Sequence, residues 1–77
     1  MKDLVEYLAK ALVDKPDEVR VEEFEEDDGT VVFEIELADD DVGKVIGRNG
    51  RTINALRTVI RASAVRHNRR VLVDVVD

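Results

Sequence analysis

An α+β fold is expected for this 77-residue sequence, ordered α-β-β-α-α-β, with a three-stranded sheet and three helices packed on one face. Three features carry that expectation. Apolar residues recur at helical spacing near the start and again across residues 51–66. Two runs with apolar alternation of period two flank Asp27-Asp28-Gly29, a hairpin turn signal. A last alternating run, Val71 to Val76, closes the chain. One sheet with helices on one side is the natural packing for such a set, and the length suits a single domain over residues 1–77.

Met1 to Val13 reads as an amphipathic helix with Leu4, Val5, Leu8, Ala11 and Leu12 on one face. Pro16 in Asp14-Lys15-Pro16-Asp17 cannot continue it. Val19 to Glu26 reads as a strand with Val19 and Val21 inward. Phe24 breaks the alternation, so a bulge near Glu22-Glu23 is expected. In the second strand Val31, Phe33, Ile35 and Leu37 share one face, and Glu34 and Glu36 share the other with Val32. One of Asp39-Asp40-Asp41 is expected to cap the short helix that follows, with the others favouring its positive end. Val42, Val45 and Ile46 then point toward the core, and Gly43 allows a close approach by a helix or a ligand. The third helix is expected from Arg51 to Arg66, with Ile53, Leu56, Ile60 and Ala64 inward and Arg57 and Arg61 on a charged face. Ala55, Val59 and Ala62 widen its apolar stripe beyond what one small sheet needs, which points to a second chain packed there. His67 to Arg70 is a basic connection, and Val71, Val73 and Val75 share one face of the last strand.

Between the second and third helices lies Val45-Ile46-Gly47-Arg48-Asn49-Gly50-Arg51-Thr52-Ile53. Glycine lacks a Cβ, so Gly47 can end a helix at positive φ and Gly50 lets a foreign backbone come close. The next helix begins with N–H groups that have no intrahelical acceptor, and its dipole favours an anion. Arg48 and Arg51 add positive charge at the same spot. A nucleic-acid phosphate is the guest this arrangement suits.

The net charge of −6 argues against nucleic acid, but its distribution argues for it. Residues 1–42 hold 4 Lys/Arg and 16 Asp/Glu, whereas residues 43–70 hold 8 Lys/Arg and no acid. Phosphates respond to the local field, which salt screens over about 10 Å. Without cysteine, disulfides and thiolate chemistry are excluded. No apolar run approaches the roughly 20 residues of a membrane span, and no signal peptide is seen, so a cytoplasmic protein is expected. The acid run Glu22 to Asp28 lacks calcium-loop spacing, and no cofactor or metal is expected.

Gly47-Arg48-Asn49-Gly50, set in Val45-Ile46-Gly47-x-x-Gly50-x-x-Ile53, resembles the GXXG signature of KH domains. The element order matches their type II arrangement. The resemblance covers essentially the whole chain and is closest to the small stand-alone bacterial KH proteins of the KhpA type. It implies a single-stranded RNA-binding module with a groove between the two central helices, the glycine loop and the second strand. Gly47, Arg48, Asn49 and Gly50 would clamp phosphates, with Lys44 and Arg51 adding charge at the flanks. Val45, Ile46 and Ile53 would touch bases or support the loop from beneath. The resemblance also implies an RNA chaperone or post-transcriptional regulator, a homodimer, and a heterodimer with a KhpB (Jag)-type KH protein.

Three other readings compete. A protein-interaction adaptor with a KH fold is favoured by the acidic total and the wide third helix, and disfavoured by the intact basic loop. An enzyme is disfavoured because Ser63 and His67 have no orienting acid, and the glycine loop lacks the lysine and spacing of a P-loop. A DNA-binding helix-turn-helix would need a three-helix core, against which the valine-rich strands argue.

Overall fold

Residues 1–76 are described by a computed structural model. Helices α1, α2 and α3 span Lys2–Leu12, Asp39–Ile46 and Arg51–Arg66, and strands β1, β2 and β3 span Arg20–Glu25, Val31–Glu36 and Val71–Val76. Single tight turns at Pro16–Glu18 and Arg48–Gly50 complete the expected α-β-β-α-α-β order. The sheet runs β1-β2-β3, with β1 antiparallel and β3 parallel to the central β2. A parallel pair needs a crossover, which α2 and α3 supply together. Inward residues Val21, Val31, Phe33, Ile35, Val71 and Val73 meet Val5, Ala9, Val45, Ile53, Leu56, Ile60 and Ala64 in one core. Phe33, Ile35 and Ile60 are the largest fully buried apolar side chains, each stabilising by about 1.5–3 kcal/mol.

The hairpin closes where expected: Gly29 has φ +87, and Asp28 Oδ1 accepts the Thr30 N–H at 2.9 Å. Helix α3 has the expected bounds and inward stripe. It stops where Asn68 takes φ +57 and the Arg69 N–H returns to Ala64 O at 2.9 Å.

Four local expectations change. Register runs unbroken from Arg20↔Glu36 to Glu25↔Val31, so β1 carries no bulge. Phe24 simply faces outward, 44% exposed, opposite Val32. Val32 is buried on that outer face because Phe24 and Leu72 flank it across the strands. In α1, Val5 and Ala9 are buried, Leu4 and Leu8 half-buried, and Ala11 and Leu12 exposed. The helix sits on the sheet along the Val5–Ala9 edge of its stripe, so the other edge is left open. None of the three aspartates caps α2, whose N-cap is Ala38. Finally, a Cβ on Gly43 would meet nothing within 4 Å, so no helix packs closely there.

Candidate nucleic-acid interface

Helix α2 ends because Gly47 takes φ +76, and its N–H still donates to Gly43 O at 2.8 Å. Asn49 and Gly50 follow at φ +56 and +74, and the Gly50 N–H donates back to Gly47 O at 3.1 Å. Three of four residues in the left-handed half of backbone space turn the chain within one loop. A Cβ on Gly47 would lie 2.9 Å from the backbone nitrogen of Thr52, so α3 itself packs against the bare α-carbon. Arg48, Asn49 and Arg51 are exposed, and Gly47 and Gly50 half-exposed. Among the described residues, the N–H groups of Arg48 and Asn49 have no backbone acceptor. The loop therefore offers free donors, two arginines and the first turn of α3 on one surface.

The apolar residues of the segment divide by depth. Val45 and Ile53 are buried in the core, which puts them under the loop, while Ile46 is half-buried beside it.

Charge in residues 43–70 also divides. Among the described residues, Arg48, Arg51, Arg61 and Arg66 are in no ion pair. Arg69 pairs with Glu25, and Arg70 lies 3.9 Å from Asp28. Lys44 pairs with Asp14 and lies 3.6 Å from Asp41. The Asp14 pair, aided by Asp41, holds the Lys44 ammonium above the usual lysine range despite some desolvation. Its charge is thus partly offset, unlike that of Arg48.

Asp41 positions this helix. It is 1% exposed, and its two oxygens accept the N–H groups of Asp14 at 3.1 Å and Lys15 at 3.0 Å. The Asp14 N–H, then the Lys15 N–H and the Lys44 charge, pull its carboxyl below the usual range against the opposing effect of burial. The start of α2 is pinned to the corner after α1.

Arg57, expected on an exposed charged face, instead turns onto the sheet. Its Nε donates to Val73 O at 3.0 Å and its Nη1 to Asn54 Oδ1 at 3.2 Å, while Nη2 lies 3.7 Å from Asp74. The carbonyls of an edge strand lack partners, and β3 supplies one to this guanidinium. Strand β2, expected at the groove, has both edges paired, so the strand edge beside α3 is that of β3. Sequence reading leaves out Thr52, Asn54 and this use of Arg57. The signal for the last two was their i, i+3 spacing one turn after Gly50.

A second surface lies on the helical side. Leu8, Ala11 and Leu12 of α1 face Thr52, Ala55, Leu56 and Val59 of α3 across an almost wholly apolar groove of about 230 Å³. Val59 is 49% exposed in it. At the α3 end, His67 Nδ1 lies 2.9 Å from Ser63 O. Among the described residues no helix is long and apolar enough to cross a membrane.

The family model described as the KH domain of KhpA/KhpB matches residues 2–75. A Halalkalibacterium halodurans protein named RNA-binding protein KhpA is 53% identical over 78 residues, covering all of both chains. A protein of the same name from Clostridium acetobutylicum is 49% identical over 76 residues, 99% of this chain and 100% of the relative. One from Borreliella burgdorferi is 43% identical over 75 residues, 97% of this chain and 90% of the relative. No solved structure is a significant match.

Proposed function

The chain belongs to the KhpA/KhpB KH-domain family, and from that premise we propose that it binds single-stranded RNA as a chaperone or post-transcriptional regulator in the cytoplasm. The observation that carries the reading is the exposed Gly47-Arg48-Asn49-Gly50 turn with its free N–H groups, and with Arg48 and the adjacent Arg51 in no ion pair among the described residues. Gly47, Arg48, Asn49 and Gly50 grip the phosphates of about four nucleotides. Arg51 adds charge directly, and Lys44 does so to a lesser degree because Asp14 and Asp41 offset it. Ile46 borders the bases, and Val45 and Ile53 hold the loop from beneath. The chain acts by binding, not by catalysis.

The apolar groove between α1 and α3 supports a second part of the proposal. Two copies pack this face together, and the same face takes up a KhpB (Jag)-type KH protein. Two linked grooves on one RNA raise a modest single-site affinity. Should the loop be idle, this face would leave a protein-interaction adaptor as the remaining role.

One double variant separates the two. Arg48→Asp with Asn49→Asp converts the loop to Gly-Asp-Asp-Gly while leaving α1 and the exposed face of α3 untouched. Gel shifts of single-stranded RNA should collapse, and self-association should survive. Undiminished RNA binding by the variant would refute the phosphate grip.

A further inference from the structure

We propose that the free edge of β1 takes up an extended polypeptide segment rich in lysine or arginine as a fourth strand of the sheet. The site is separate from the glycine loop and does not depend on the RNA reading above.

Strand β1 is an edge strand, and among the described residues no strand lies beyond it. Along an antiparallel strand, backbone groups alternate between facing the partner and facing away. The Glu26 N–H donates to Thr30 O at 2.8 Å, in step with the Glu22↔Glu34 and Phe24↔Val32 register, so the even-numbered residues bond to β2. The N–H and C=O groups of Val21, Glu23 and Glu25 therefore point off the sheet. Val21 is 6% exposed, so its backbone is covered, but Glu23 and Glu25 are exposed. These two residues offer two donors and two acceptors at the spacing of a strand ladder. Such an edge is a template for another chain. The opposite edge is closed: Val71 and Val73 of β3 are buried, and Arg57 holds Val73 O.

The side chains decide what pairs there. Glu22 and Glu23 are in no ion pair among the described residues, and Glu25 is met by Arg69 alone. Phe24, half exposed, ends an apolar row with Val32 and Leu72 on the outer face of the sheet. The next row on that face is acidic, Glu22, Glu34 and Asp74. An added antiparallel strand continues both rows. An apolar residue opposite Phe24 covers its ring. Lysine or arginine opposite Glu22, Glu23 and Glu25 meets acids that have little or no compensation.

Other occupants fit badly. The same acids repel RNA. A second copy of β1, paired antiparallel through its exposed donors, sets Glu23 or Glu25 against Glu23 or Glu25. Like charges directly opposite are destabilising. Protein and RNA then engage different elements, β1 for one and the α2–α3 loop for the other, so one chain can join a basic protein to an RNA.

The test is NMR titration of the full ¹⁵N-labelled chain with the peptide threonine-lysine-valine-lysine-lysine-valine-threonine, whose first valine lies opposite Phe24 in the antiparallel register. The amide signals of Glu23 and Glu25 should shift, and those of Arg48 and Asn49 should stay. N-methylating the two lysines opposite Glu23 and Glu25 keeps every charge but removes the donors, and should weaken binding roughly tenfold or more. Glu22→Lys with Glu23→Lys, both at exposed positions, should weaken it roughly fivefold or more while thermal melts show the chain still folded. No shift, shifts confined to other residues, or equal binding by the N-methylated peptide or the double variant overturns the strand addition. So do shifts of the same two amides on diluting the chain alone, which put a second copy at the edge, or on adding octauridine, which put RNA there.

Discussion

The backbone nitrogen of Thr52 stands 2.9 Å from where a Cβ on Gly47 would be, so position 47 has room for hydrogen alone. Gly50 differs: a Cβ there would be in ordinary contact at 3.6 Å, and only its φ of +74 resists a side chain. Left-handed backbone costs an L-residue about 1–2 kcal/mol. Gly50→Ala should therefore destabilise by about that amount, and Gly47→Ala by clearly more, because α3 must also move. Thermal melts of the two variants check the order. Equal losses would mean that φ, not the Thr52 contact, sets the requirement at both sites.

Asp41 yields a prediction in pH. Each of its oxygens takes a different N–H, so Asp41→Asn replaces one acceptor with a donor facing a donor. The variant should melt several degrees lower at pH 7. The folded-state pKa of Asp41 is depressed below 3.8. Its stabilisation is thus complete above 3.8 and lost as pH falls through the folded value. The gap between wild type and variant should narrow in acid. Asp28, also depressed, chiefly by the Thr30 N–H, titrates in the same direction in both proteins and cancels from the comparison. A gap that stays constant from pH 7 to pH 2 would remove the carboxylate from the account.

Much of this architecture can be read directly from residue patterns, and the parts that cannot share one cause. Helix α3 is legible because Ile53, Leu56, Ile60 and Ala64 keep a helical period and Gly50 marks the start. The α2–α3 corner is legible because its glycines are local necessities. Asp41 is not: its partners lie 27 and 26 positions away, and nothing near it distinguishes a cap from a long-range anchor. Arg57 is similar, since spacing on α3 gives its direction but not the β3 carbonyl waiting there. In α1, period identifies an apolar face without saying which edge of it meets the sheet. Ala9 is buried while Leu12 is exposed because docking angle, not side-chain size, decides.

Arg48 and Lys44 should separate in salt. Each phosphate contact on a single strand contributes about −0.7 to the slope of log affinity against log salt. Arg48→Ala should flatten the slope by about that much and weaken all RNAs alike. Lys44→Ala should flatten it less, because Asp14 and Asp41 already neutralise much of that charge. Anisotropy titrations from low to moderate salt measure both. An equal effect of the two substitutions would show that the Lys44 ion pairs open when RNA arrives.

Val59 is the position from which to test the helical face. It sits in the apolar groove facing α1, half exposed, and lies outside the buried stripe of α3. A monomer has no packing reason to keep it apolar, so Val59→Asp should leave the melting temperature of an isolated chain nearly unchanged. In a dimer built on this groove, the same change buries a carboxylate in each copy. That should weaken association by roughly thirtyfold or more. Light scattering across a concentration series should then show a dimer for the wild type and a monomer for the variant. Short RNAs that fill one groove should bind both proteins alike, whereas RNAs long enough to reach two grooves should lose affinity only with the variant. If the wild type is monomeric at high concentration, or Val59→Asp still dimerises, the contact between copies lies elsewhere.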